Sequence, residues 1–110
     1  MRIGTMYKPG DVILTYVQFA DSFEIKKRPA VVLFSEADNF IVAGITSNKL
    51  RTGIPVTIKE GAIKDSVIRI DYIYTVSQKI IDKKLFTLTK GKKELLFKEL
   101  NNKISELLSC

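Results

Sequence analysis

The sequence predicts a mainly β fold with a C-terminal α-helix: a small, strongly curved sheet or barrel with one helix closing the chain. Two observations carry this. From Asp11 to Val76 short β-rich runs recur at near-regular spacing, separated by turn signals. From Lys90 onward the period changes, and Leu96, Leu100, Ile104, Leu107 and Leu108 recur at helical spacing. The 110 residues form a single domain over 1–110. A chain of this length buries well over half of its unfolded surface and needs no metal or disulfide to fold.

The elements follow in order. Lys8-Pro9-Gly10-Asp11 is a turn signal. Val12 to Gln18 places Val12, Leu14 and Tyr16 on one face and Ile13, Thr15 and Val17 on the other, a first strand that is mostly buried. Phe19 to Lys27 mixes aromatic and charged residues, as the long tip of a hairpin does. Ala30 to Phe34 is the second strand and Glu36-Ala37-Asp38-Asn39 a tight turn. Phe40 to Thr46 is almost wholly apolar, which predicts a central strand. Ser47 to Gly53 is a polar, basic loop, and Ile54 to Ile58 alternates as a half-exposed strand. Lys59-Glu60-Gly61-Ala62 turns the chain, with room for one helical turn. Ser66 to Val76 is the longest β-rich stretch, either one bent strand or two short ones. Thr89 can then cap a helix from Lys90 towards Ser109. Its apolar stripe fits packing on the sheet and also fits part of a dimer interface.

Composition removes several kinds of chemistry. There is no histidine, and the one cysteine is Cys110 at the end of the chain. A Cys–His or Ser–His nucleophile pair and a structural zinc site are therefore excluded, and no metal site or cofactor is expected. No internal disulfide can form, which fits a reducing cytoplasm. Residues 1–9 are too polar for a signal peptide, and no apolar run reaches the length of a membrane span, so no membrane association is expected. The net charge is +6 with a pI of about 9.5. That balance favours an acidic partner, whether nucleic acid, anionic surface or acidic peptide.

The stretch Lys26-Lys27-Arg28-Pro29-Ala30-Val31-Val32-Leu33 changes character in its middle, with three cations, a proline and then an apolar run. Pro29 keeps Arg28 out of the helical region, which predicts an extended arginine at the lip of a strand rather than inside it. A guanidinium presented there can hold an anion. Two more places bring polar groups to apolar strands. Thr46-Ser47 ends the central strand with two hydroxyls. Arg69-Ile70-Asp71 places Arg69 and Asp71 two apart, on one face and about 7 Å apart along a strand. Each also has an ordinary reading: a solvated basic loop, a strand cap, an exposed ion pair of little energetic value.

Together these groups suit phosphodiester chemistry. RNA can attack its own phosphate through the 2′-OH. A protein then has to remove a proton, stabilise a dianionic five-coordinate phosphorus and assist the leaving 5′-oxygen. Among these groups an aspartate is the one suited to base work, so Asp71 is the candidate base. Arg28 and Arg69 suit an electrostatic clamp. Thr46 and Ser47 can donate to phosphate oxygens.

Gly10-Asp11-Val12-Ile13-Leu14, Lys27-Arg28-Pro29-Ala30-Val31-Val32-Leu33 and Ile45-Thr46-Ser47 resemble, in order and spacing, the MazF/PemK family of toxin endoribonucleases. Asp65-Ser66-Val67-Ile68-Arg69-Ile70-Asp71 and the closing helix continue the likeness, which spans Tyr7 to Leu108. The resemblance implies an SH3-like β-barrel, a homodimer, and sequence-specific, metal-independent cleavage of single-stranded RNA to 2′,3′-cyclic phosphate and 5′-hydroxyl ends. It also implies an antitoxin whose acidic tail occupies the RNA groove. Arg28 and Thr46 match the family's catalytic arginine and threonine. Arg69 and Asp71, with Ser47 beside them, match the Arg-x-Asp triplet of the PemK-like branch. The loops are expected to set base preference, by stacking from Phe19 or Phe23 and phosphate contacts from Lys26, Lys27, Lys49 or Arg51. The chain departs from the pattern in three places. It lacks the first-loop histidine of some members, Tyr72 stands where a glutamine often follows the aspartate, and Phe86 stands where a glycine often precedes the last helix. The alternative is a binding module on the same barrel: a gyrase-poisoning CcdB-like toxin, or a nucleic-acid-binding protein without catalysis.

Overall fold

The computed structural model describes residues 7–18, 25–48 and 52–109. Six strands, β1 (Asp11–Gln18), β2 (Ile25–Glu36), β3 (Asn39–Thr46), β4 (Ile54–Val56), β5 (Ser66–Ser77) and β6 (Ile81–Thr87), precede one helix, α1 (Lys90–Ser109). The strands form one sheet in the order β4-β5-β3-β2-β1-β6, with every pairing antiparallel. β3 lies inside the sheet, as its apolar sequence requires. Ser66 to Ser77 is one bent strand rather than two.

Two apolar clusters cover the two faces of the sheet. Val12, Val31, Ala43, Ile45 and Ile68 form the first, together with Ile54 and Val56 of β4 and the helix residue Leu96. Leu85 and Phe86 of β6 pack against the same cluster. β4 and β6 are the two edges of the sheet. They can share one core only if the sheet curls around it, which gives the barrel-like form. Ile13, Ala30, Val32, Phe40, Val42 and Val76 form the second cluster on the other face. Adjacent residues such as Val31 and Val32 point to opposite faces. Because both faces are covered, the runs in β2 and β3 are continuously apolar instead of alternating.

β2 is longer than the sequence predicts. It begins at Ile25, so Lys26, Lys27 and Arg28 belong to a strand and not to the hairpin tip. Arg28 stands opposite Thr15 and Pro29 opposite Leu14. The lip placement of Arg28 is therefore corrected: it lies within β2. A proline is tolerated there because the β2–β3 ladder starts only at Ala30, opposite Gly44. From Ile25 to Pro29 the strand is paired on its β1 side alone, so the missing N–H breaks no ladder on the other side.

β6 is a further finding. Its polar sequence, Ile-Asp-Lys-Lys-Leu-Phe-Thr, has no clear alternation, and the strand lies at the sheet edge, where lysines suit solvent. Buried Asp11 ties its end to β1. The carboxylate accepts hydrogen bonds from Thr87 Oγ1 at 2.8 Å and from the Lys8 backbone N–H at 2.9 Å.

α1 starts where expected, with the Lys92 N–H donating to Thr89 Oγ1 at 3.2 Å. Lys92 Nζ donates to the Pro55 carbonyl and pairs with Glu60 at 3.6 Å, which fixes the first turn to β4 and the turn after it. The expected packing of the stripe on the sheet holds only in part. Leu96 is buried and Leu100 half-buried, but Ile104 and Leu107 are 62% and 75% exposed. A 20-residue helix extends about 30 Å, and its C-terminal half outreaches the sheet.

Candidate functional site

The site forms where the regular ladder fails. Between β3 and β5 the register shifts: Ala43 pairs with Ile73, but Ile45 pairs with Ile68. Two steps along β3 thus match five along β5, and the surplus Arg69–Tyr72 segment bulges opposite Gly44. Bulges re-aim side chains that strict alternation would separate. Here the bulge brings Arg69 and Tyr72 to one place, although their spacing would put them on opposite faces of a regular strand. The guanidinium carbon of Arg69 lies 5.3 Å from the Tyr72 ring centre.

A cavity of about 160 Å³ opens beside this bulge. Arg28 from β2, Thr46 from the end of β3, and Arg69, Tyr72 and Tyr74 from β5 all line it. Residues from three separate segments therefore converge on one small, partly polar opening. Its volume falls below the roughly 300 Å³ at which ligand pockets usually begin. It suits one phosphate or part of a nucleotide rather than a large molecule.

The polar groups are held in definite orientations. Arg69 donates to Asp71 through Nε at 3.1 Å and Nη2 at 3.0 Å, a two-pronged pair. This hydrogen bond is the main cause of the raised Arg69 pKa. Asp71 is 67% exposed and is not among the residues lining the cavity, while Arg69, which does line it, is 22% exposed. The Asn48 backbone N–H donates to Thr46 Oγ1 at 3.1 Å, so the proton of that hydroxyl is what it can offer a ligand. Tyr74 stacks against Tyr72 with ring centres 4.8 Å apart and a tilt of 32°. Burial, and then the neighbouring Tyr72, push the Tyr74 hydroxyl up to about 12, so it stays a neutral donor at physiological pH.

Other candidate residues lie elsewhere. Ser47 is exposed and lines an adjacent cavity of about 200 Å³, which Thr46 also borders. Lys27 points to the face opposite Arg28. Its Nζ pairs with Asp82 of β6 at 3.3 Å and lies 5.4 Å from the Tyr16 ring centre. The Asp82 hydrogen bond chiefly raises its pKa. Lys26 is exposed on β2, two residues before Arg28 and so on the same side of the strand. Phe19, Phe23, Lys49 and Arg51 fall outside the described residues. Sequence reasoning noted Tyr72 only as a departure and passed over Tyr74 and Gly44. The i, i+2 spacing of the two tyrosines was the available signal. The bulge that turns them to the cavity has no signal in the sequence.

Among the described residues no group of three or more acidic, cysteine or histidine side chains is placed to hold a metal ion. No helix there is long and apolar enough to cross a membrane.

Comparison with known proteins adds a family. No curated protein sequence matches closely enough to count as a relative. Among solved structures, the chain resembles the Mycobacterium tuberculosis toxin MazF-mt6 with a TM-score of 0.63 and 24% identity, over 82% of this chain and 93% of that one. At that identity the likeness establishes the fold, a mainly β, curled MazF-like sheet with a C-terminal helix. A family model described as PemK-like, MazF-like toxin of type II toxin-antitoxin system matches residues 8–108. With nearly the whole chain matched and the fold in agreement, this protein belongs to the PemK-like, MazF-like toxins of type II toxin–antitoxin systems.

Proposed function

We propose that the chain is a sequence-specific, metal-independent endoribonuclease that cleaves single-stranded RNA through 2′-OH attack. One observation carries this reading: Arg28, Thr46 and Arg69 line a single phosphate-sized cavity, and Arg69 in turn holds Asp71 by two hydrogen bonds. The 2′-oxygen forms the new bond to phosphorus, and Asp71 takes its proton. Arg28 and Arg69 balance the negative charge that gathers on the phosphorane oxygens. Arg69 spends two N–H groups on Asp71, and a guanidinium has five, so others remain for phosphate. Thr46 donates its hydroxyl proton to a phosphate oxygen. The bond to the 5′-oxygen breaks, that oxygen is protonated from solvent, and a 2′,3′-cyclic phosphate remains. Ser47 and Lys26 extend the polar surface along the RNA.

The test is incubation of purified protein with a long unstructured RNA in EDTA, followed by chemical mapping of both new ends. Cyclic phosphate and 5′-hydroxyl termini that vanish in Asp71→Ala are the expected result. Loss of the base should slow cleavage by about 10²- to 10⁴-fold. Binding without cleavage would return the chain to the non-catalytic alternative.

The family implies an antitoxin, and the net charge of +6 supports an acidic one that competes with RNA for this surface, in the cytoplasm. The same reading includes a homodimer. An apolar groove of about 570 Å³ runs between α1 and the sheet, lined by Phe34, Ile41, Ile73, Phe97, Leu100 and Ile104 among others. Phe34 and Phe97 are 53% and 71% exposed. So apolar a surface does not suit an acidic tail and does suit a second copy. Sedimentation at micromolar concentration should give a dimer that Phe97→Glu converts to a folded monomer. A wild-type monomer under those conditions removes this part of the proposal.

A further inference from the structure

The cavity's aromatic wall has no part in the chemistry above. Tyr72 is 44% exposed and borders the cavity. Tyr74 backs it at 4.8 Å, and Tyr74 is itself packed against the second apolar cluster. Beneath Tyr72 lies Gly44. A Cβ at that position would come within 2.6 Å of Tyr72 Cδ2, so the ring sits directly on β3 backbone. Arg69 flanks the ring while it holds Asp71, which makes the ring part of the same assembly as the proposed base.

We propose that Tyr72, seated on Gly44 and backed by Tyr74, is the stacking platform for the nucleobase next to the scissile phosphate. The inference rests on the nuclease reading and deepens it. A phosphate between Arg28, Thr46 and Arg69 leaves the adjoining base within reach of this ring, since all four residues border one cavity. A ring face accepts any base, because every base has a π-face. What it demands is that the base be free of its own stack. The platform therefore selects unpaired RNA at the cut, and base identity is left to other contacts. A tyrosine backed by a second ring and flanked by a guanidinium is preordered, so stacking on it costs little further side-chain entropy.

The experiment uses the full chain and a short cleavable RNA, with single abasic substitutions at each nucleotide flanking the cut. Tyr72→Ala should raise KM by roughly 10- to 100-fold, the range that loss of one base–aromatic stack produces, and lower kcat much less. Tyr72→Phe, which keeps the ring, should restore the wild-type KM. Gly44→Ala should reproduce the KM rise by unseating the ring, with circular dichroism checking that each variant is folded. An abasic nucleotide at one flanking position should penalise wild type by a similar factor and add nothing to Tyr72→Ala. An unchanged KM in folded Tyr72→Ala, or abasic penalties that add in full to it, overturns the platform while cleavage by the wild type leaves the nuclease reading intact. Should the wild type bind RNA without cutting it, the nuclease reading falls. The same comparisons made with Kd in place of KM then decide the platform alone. A wild type that neither binds nor cuts overturns both.

Discussion

Arg28→Ala is expected to slow RNA cleavage by about 10²- to 10³-fold, the usual effect of removing one preorganised donor from a developing negative charge. Arg28 lies within β2 and borders the cavity with Thr46 and Arg69. Its strand is anchored by a ladder to β1 that continues from Val31 to Ile25, so the position of the guanidinium is set by the sheet and not by a loop. The residue is solvent-exposed, and its loss should leave the melting temperature nearly unchanged. Cleavage rate and thermal melting measured on the same preparation check both halves. Arg28→Lys should recover only part of the rate, because an ammonium cannot reproduce the two-pronged geometry of a guanidinium. A rate within a few-fold of wild type in Arg28→Ala would remove this residue from the chemistry.

Phe40→Ala is expected to cost about 3–5 kcal/mol of stability, the range for truncating a buried aromatic ring. Phe40 is 1% exposed and is the largest fully buried side chain among the described residues. Its ring meets Tyr7 edge-on at 5.6 Å and packs with Ile13, Val32 and Val42 in the second cluster. Small domains are stable by only about 5–15 kcal/mol, so this one substitution should move the urea midpoint far to the left. Phe97→Ala is the contrast. That ring is 71% exposed on the monomer, and its truncation should change the monomer's stability by no more than about 0.5 kcal/mol. Equal midpoint shifts for the two variants would mean that the second cluster does not behave as a core.

Much of the fold was legible from local pattern. The apolar run from Phe40 to Thr46 marked an interior strand because only a strand covered on both faces can be apolar throughout. Thr89 marked the start of α1 because a hydroxyl there can take an orphan N–H, as it does from Lys92. β6 escaped because an edge strand half in water carries lysines and no alternation. The extension of β2 back to Ile25 escaped because Pro29 argues against an interior strand. The pairing of that segment on one side alone removes the objection. The stripe on α1 was read correctly as apolar, but periodicity says nothing about how far the covering surface extends.

The candidate site divides in the same way. Residue type and spacing made Arg28, Thr46, Arg69 and Asp71 candidates, and the Arg69–Asp71 pair is a two-residue relation that any extended strand permits. The aromatic wall could not be read so directly. It depends on a register shift in which five steps of β5 face two of β3, and on a glycine two strands away in sequence from the ring it meets.

By itself the sequence determined the mainly β character with a closing helix, the absence of histidine chemistry and the set of polar groups able to meet a phosphate. Those follow from side-chain type and short-range periodicity, which act within a few residues. Only the tertiary structure decided that Arg28, Thr46 and Arg69 share one cavity, that Lys27 turns away to Asp82, and that Tyr72 packs closely against Gly44. Each of these depends on which strands pair and in what register, and a one-residue slip reverses every face.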